Sequence, residues 1–433
     1  MEVQVFVIGF AIMLAMMLLS MPIASVMVLV GVVGGLMAFG WPLLSSVGPV
    51  AWGTQNENIL TAIPLFILLG ELLLRSGIAD KMYGAMSLWL GRLPGGLLHT
   101  NIACCSLFAA TSGSSIATAA TIGTVALPAL NERNYPKRQA LGSLAAGGTL
   151  GILIPPSVNL LVYGSITNIS IGQLFVAGII PGILLTLIFM GYIGVANFRN
   201  TTVKLDDPAP LAVKLRALIH LVPPMVIFVV VMGSIYFGVA TPTESAALGV
   251  VAALGFVARE RLLSWGLLQL CFINTARTTG MVLLIILGAF ILNVTLALVG
   301  AAQTMTIWVA SLGLSATGML LALVLFYLLL GMFMDVLSMQ VLTIPIAVPM
   351  VVQLGIDPVW FGIFIVLMCE LGMITPPVGM NLYVVQGVRT DGGDFSDVIW
   401  GAVPYVLLML AFTGLLIAWP DIALWLPRTM IGP

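Results

Sequence analysis

Apolar runs of about twenty residues recur from end to end of this chain, and that is the length a helix needs to cross a hydrocarbon core of about 30 Å. The constraint is severe. Inside a bilayer every backbone amide and carbonyl must be satisfied without water, which leaves only helices and closed barrels. The runs are continuous rather than alternating, so a barrel is disfavoured. With 61% hydrophobic and 7% charged residues among 433, the chain also lacks the polar surface of a soluble protein of its length. It reads as an all-α polytopic membrane protein.

About ten full crossings are expected, near 3–21, 23–40, 59–75, 138–168, 173–197, 217–237, 243–258, 279–298, 359–388 and 398–420. Two further apolar segments, about 98–130 and 315–352, carry Gly, Ser and Pro punctuation and read as re-entrant hairpins. The first run lacks a basic stretch and a small-residue cleavage site, so it is expected to be retained. This layout puts Arg75, Lys81, Arg92, Arg133, Lys137, Arg138, Arg199, Lys204, Lys214, Arg216, Arg259, Arg261, Arg277 and Arg389 on one side, and only Arg428 on the other. The basic side is expected to be cytoplasmic, with both termini outside. A net charge of −1 without a basic cluster on an amphipathic helix suggests no nucleic-acid partner and no polybasic lipid switch. Cys104, Cys105, Cys271 and Cys369 read as buried small hydrophobes.

Two of the expected crossings contain a double proline, in "LGILIPPSV" from Leu150 and in "LGMITPPVG" from Leu371. A proline inside a helix has no amide to donate and clashes with the carbonyl one turn earlier, at about 3 kcal/mol or more. The crossings at 138–168 and 359–388 are therefore expected to be helices broken near the middle. A shift of 221 residues aligns Pro128 with Pro349, Leu150 with Leu371, Gly151 with Gly372, Pro155 with Pro376 and Pro156 with Pro377. An odd number of crossings per half makes this an inverted repeat, 1–216 and 217–433, each with one hairpin and one broken helix. The alternative is that Gly and Pro are simply common in membrane helices.

A broken helix exposes carbonyls at the end of its first half and amides at the start of its second, and these can hold ions. Beside the first break, "TSGSSIATAATIG" from Thr111 offers hydroxyls and a flexible glycine at a hairpin tip, which suits sodium, a hard cation preferring oxygen. Ser112 and Ser115 are expected to face carbonyls around Gly151, Ile154 and Pro156. The symmetric site would use Gly331, Gly372, Thr375 and Val378 through backbone oxygens, with Asp335 ligating the ion or organising the tip. Small-residue helix packing is the alternative for the first tip, and a helix cap is the alternative for Asp335. Asn159 and Asn381, just past the breaks, either meet a substrate or satisfy loose backbone groups, and Ser114 at the first tip is a candidate to meet a substrate. In "TPTES", Thr241 and Glu244 form a capping box around Pro242, so structure alone explains them. Glu71 and Glu370 are either functional or paired within the bundle. His99 reads as interfacial.

Taken together, "TSGSSIATAATIG", "LGILIPPSVNLLVYG", "ATPTESAALG" and "ELGMITPPVGMNLYV" resemble the large membrane subunit of tripartite ATP-independent periplasmic (TRAP) transporters, across nearly the whole chain. The resemblance implies a sodium-coupled secondary transporter of the bacterial inner membrane that imports an organic acid such as a C4-dicarboxylate, keto acid or sialic acid. It implies an elevator in which a mobile domain with both hairpins and both broken helices slides against a scaffold. It also implies two partners, a periplasmic binding protein and a small four-helix membrane subunit, the latter expected as a separate chain. No cofactor is expected beyond sodium as coupling ion.

A self-sufficient sodium–carboxylate symporter is the competing reading within transport. An intramembrane enzyme is disfavoured, because the chain has no H-E-x-x-H zinc site, no G-x-S-x-G elbow and no second aspartate in a protease-like motif. A passive channel is disfavoured because paired discontinuous helices favour alternating access.

Overall fold

The computed structural model describes residues 2–198, 209–311, 313 and 315–430. Arg199 and Lys204, counted above among the basic side, lie outside the described residues. Among the described residues all regular structure is helical. Six helices are long and apolar enough to cross a membrane, or seven if the bent pair Pro42–Gln55 and Ile59–Arg75 forms one span. Other expected crossings correspond to shorter or interrupted elements. Ile23–Phe39 is 17 residues long and ends at Gly40. Pro358–Met373 continues, past its break, as Met380–Val388.

The helices that carry the double prolines form the centre of the molecule. In Lys137–Thr167, 94% of the most apolar 18-residue window is buried within the protein, against 28% for Leu211–Tyr236. Every residue from Val359 to Met373 is buried as well. These two segments are enclosed by protein, exposure returning at Lys137 and Arg138 at the start of the first and at Met380 and Tyr383 past the second break. Each hairpin is two antiparallel helices with a short turn, Leu97–Ser112 with Ser115–Glu132 and Ala316–Gly331 with Val336–Gln353. Their ends lie within about two residues of the boundaries expected from the sequence, a difference inside ordinary end-assignment scatter.

Local chemistry explains several ends. Thr241 Oγ1 accepts from the Glu244 amide at 3.3 Å while the Glu244 carboxylate accepts from the Thr241 amide at 2.8 Å, the expected capping box. Thr241→Ala should lower stability by about 1 kcal/mol, read as a lower thermal midpoint of the purified chain with uptake unchanged. An uptake defect at an unchanged midpoint would instead make this motif functional.

An ion cluster ties the start of the first broken helix to the loop after the second. Arg389, its side chain only 3% exposed, pairs with Asp391 and Asp397, while Lys137 reaches Asp391 at 2.7 Å and Arg138 reaches Asp397 at 3.3 Å. Arg389 first, then Lys137, holds the Asp391 carboxyl well below the usual carboxylate range. All four cysteines are free and buried.

Candidate functional site

At the first tip, helix Leu97–Ser112 ends at Gly113 in the left-handed region, and Ser114 caps Ser115–Glu132 by accepting from the Ala117 amide at 3.4 Å. The tip is seated in the first break. A Cβ on Gly151 would lie 2.6 Å from the Ser114 carbonyl oxygen, and one on Gly113 would lie 2.6 Å from that of Pro156. Only glycine allows backbone to meet backbone this closely. Ser115 Oγ donates to the Thr149 carbonyl at 3.2 Å, and Ser112 Oγ shares a hydrogen bond with Thr118 Oγ1 at 2.9 Å.

The two prolines have a direct consequence here. In an unbroken helix the carbonyls of Gly151 and Ile152 would accept from residues 155 and 156, which are prolines and have no N–H. Ile154 leaves the helix in an extended conformation, its amide bonded to the Leu150 carbonyl at 3.1 Å. Gly151 and Pro156 thus meet the first tip at Ser114, Ser115 and Gly113, whereas Ile154 packs against Gly182 and the Ser112 carbonyl faces Gly70; the polar groups at the tip are hydroxyl and carbonyl oxygens. That chemistry fits a hard monovalent cation.

The second tip repeats the plan with different side chains. Gly331 ends its helix against Gly372, where a Cβ on either would lie 2.6 Å from the other's Cα. The Val378 amide donates to the Met332 carbonyl at 3.2 Å, so its N–H is committed to the hairpin. Thr375 Oγ1 donates to the Leu371 carbonyl at 2.6 Å, and the Thr375 amide donates to Gly372 at 3.2 Å. In an unbroken helix the Met373 carbonyl would accept from residue 377, which is proline and has no N–H. Asp335 is the N-cap of Val336–Gln353, accepting from the Ser338 amide at 3.2 Å and from the Ser338 hydroxyl. The cap explanation is therefore realised, and Asp335 also lines the cavity described next.

A cavity of about 440 Å³ lies where the tips, the breaks and two further helices meet. Four helices begin at it. Ser115 to Ala117, Val158 with Asn159, Val336 with Leu337, and Met380 are lining residues, each at the N-terminus of its helix. Ser112, Ser114, Ser115, Asn159 and Asp335 are thereby brought to one space. Asn159 is only 6% exposed and its Oδ1 has no hydrogen-bond partner among the described residues. Asn381 sits differently. Its amide nitrogen donates to the Ala145 carbonyl at 3.4 Å and packs beside Gly148, and it is not among the lining residues. Both asparagines are the second residue of their half-helix, but the second linker is one residue longer, with Asn381 four positions after its double proline and Asn159 three.

Two further helices complete the lining, and of their residues only Glu71 stood out in the sequence. Ile67, Gly70, Glu71 and Leu74 form one face of Ala62–Arg75, and Thr278, Met281 and Val282 form one face of Trp265–Leu298. Helical spacing around the polar interruptions Gly70 and Glu71 was the available signal. Glu71 pairs with Arg75 and accepts from Asn274, both at 3.1 Å. Glu370 is fully buried against the backbone of Ile152 and Leu153, with no hydrogen bond of ordinary geometry to its carboxylate among the described residues. His99 is 4% exposed and its Nε2 meets the Pro94 carbonyl at 2.8 Å, a buried brace rather than an interfacial group. A larger cavity of about 600 Å³, bounded by residues such as Phe10, Met13, Val30, Leu292 and Leu342, is nearly all apolar. It lacks the convergent polar groups that orient a small polar ligand.

Residues 10–422 match the family described as the tripartite ATP-independent periplasmic transporter, DctM component. The chain is 35% identical to the C4-dicarboxylate TRAP transporter large permease protein of Pseudomonas aeruginosa, over 87% of each chain. It is 32% identical to the sialic acid TRAP transporter large permease protein of Vibrio cholerae, over 88% of each. Among solved structures, the Alcanivorax borkumensis YdaH transporter superposes with a TM-score of 0.67 at 14% identity, covering 91% of this chain and 90% of that one, which is a likeness of fold. The chain belongs to the DctM family of TRAP transporters and is a multi-pass inner-membrane permease, not an enzyme.

Proposed function

We infer that this permease imports an organic acid together with sodium ions, by an elevator movement of the domain that holds both hairpins and both broken helices. The observation that carries the reading is the start of four helices at one cavity. Three of these starts are capped, by Ser114, Ser157 and the Asp335 carboxylate, each taking one amide; the first-turn amides left over, and the helix dipoles away from Asp335, favour a carboxylate without any lysine or arginine in the lining. Asn159, a buried lining residue whose Oδ1 has no hydrogen-bond partner among the described residues, adds a polar side chain to the same wall. Relatives named for C4-dicarboxylate, sialic acid and 2,3-diketo-L-gulonate carry acids of this class.

Sodium fits the tips. Ser112, Ser115, Gly151, Ile154 and Pro156 would hold one ion, and Gly331, Asp335, Gly372, Thr375 and Val378 a second. Bound there, the ions supply positive charge beside the anion and fix the tips on the breaks. Asn159 and Ser114 would meet the substrate, while Asn381 braces the wall behind it. The ten-crossing layout in two inverted repeats is supported by the matched breaks and tips. Both termini are assigned to the periplasm, which the gathering of Lys137, Arg138 and Arg389 at one end supports. The partners are a periplasmic binding protein and a small four-helix membrane subunit. An isethionate relative named DctMQ, of which this chain covers 57%, supports the second of these.

Ser112→Ala combined with Ser115→Ala should move half-maximal uptake to a sodium concentration about tenfold higher, the worth of roughly one or two lost oxygen contacts. Radiotracer uptake against sodium concentration reads this directly. An unchanged curve would mean that the first tip does not bind the ion.

A further inference from the structure

The cavity presents an electrostatic problem. Its lining includes two carboxylates, Glu71 and Asp335, and no lysine, arginine or histidine. An anion entering it meets four helix N-termini on one wall and, on the other, a glutamate. The geometry around that glutamate suggests how the problem is solved. Ile67, Gly70, Glu71 and Leu74 line the cavity along one helical face, and Arg75 continues that face, four residues after Glu71. Arg75 Nε donates to Glu71 Oε2 at 3.1 Å, and Asn274 Nδ2 donates to the same oxygen at 3.1 Å. Asn274 lies one turn before the lining residue Thr278; neither it nor Arg75 lines the cavity, and both stand one bond behind it through the lining residue Glu71. Among the described residues no hydrogen bond engages Arg75 Nη1 or Nη2, and the side chain is 30% exposed. A guanidinium held through Nε, with its other nitrogens free, is pre-oriented to take a carboxylate.

We propose that Arg75 is a specificity-determining residue, which takes the second carboxylate of a dicarboxylate whose first carboxylate lies at the helix N-termini beside Asn159. This rests on the reading of the cavity as the organic-acid site. Glu71 has two functions in this arrangement. It neutralises Arg75 while the site is empty, and it fixes the guanidinium so that a dianion is bound by a prepared group. A monocarboxylate of the same length gains nothing from Arg75.

The test uses the full chain purified in nanodiscs in sodium chloride, with thermal stabilisation measured against succinate and against butyrate. These acids have equal chain length and differ in one anionic end. The wild type should respond to succinate at about tenfold lower concentration than to butyrate, the worth of one charge-assisted contact. Arg75→Gln should bring succinate down to the butyrate level and leave butyrate unchanged, so butyrate also reports an intact site. If Arg75→Gln does not fold, Arg75→Lys decides, because it keeps the charge and loses the fork. A reduced succinate preference in that variant supports the assignment, and an unchanged one overturns it. Equal responses to both acids in the wild type, or a preference that survives Arg75→Gln, overturn the role of Arg75 and leave the cavity reading standing. No stabilisation of the wild type by either acid overturns both.

Discussion

Asp335→Ala should abolish uptake while the protein remains in the membrane at the wild-type level. Two roles meet in this side chain. As N-cap of Val336–Gln353 it accepts from the Ser338 amide at 3.2 Å, and its loss from that role costs about 1 kcal/mol. That is too little to remove a buried bundle from the membrane. As a lining residue beside the second break, it is an ionisable group at presumed membrane depth, a position that is costly and seldom kept without function. Asp335→Asn separates the roles, because asparagine caps about as well as aspartate and carries no charge. Asn should restore the thermal midpoint without restoring uptake. Normal uptake by Asp335→Ala, with protein levels matched by immunoblot, would remove Asp335 from the mechanism.

Gly372→Val should produce a large loss of folded protein. A Cβ at this position would lie 2.6 Å from the Cα of Gly331, and the obstacle is backbone on both sides. Overpacking a well-filled site costs about 1–3 kcal/mol where side chains can yield, and here none can. The hairpin would have to withdraw from the break, opening the second tip. Gly387→Val is the control, since nothing lies within 4 Å of a Cβ there. Size-exclusion profiles and thermal midpoints of the purified variants read the difference. A wild-type profile for Gly372→Val would mean that hairpin and broken helix do not meet as described.

The coarse fold was legible because bilayer physics leaves few choices and because proline and glycine act locally. The double prolines located both helix breaks, and the Gly and Ser punctuation located both hairpins. The capping box was legible for the same reason, as Thr241, Pro242 and Glu244 settle it among themselves. What escaped depends on contacts between distant segments. The pairing of Glu71 with Asn274 needs two helices about two hundred residues apart, and a single sequence gives no register between them. The unequal surroundings of Asn159 and Asn381 accompany a second linker that is one residue longer. His99 was read as interfacial because its hydrogen bond to Pro94 depends on how the loop before Leu97 folds back. Crossing number was the least secure, since a short helix ending at a break resembles a full span in composition.

The central claim is sodium-coupled import of an organic acid that a binding protein delivers. It is tested most directly by radiolabelled dicarboxylate uptake into proteoliposomes that hold this chain and its small-subunit partner, with purified binding protein present or omitted and with or without an inward sodium gradient. The account predicts uptake only when binding protein and sodium gradient are both present. Uptake by this chain alone would contradict the tripartite mechanism and establish a self-sufficient symporter, and uptake indifferent to sodium would remove the ion from both tips.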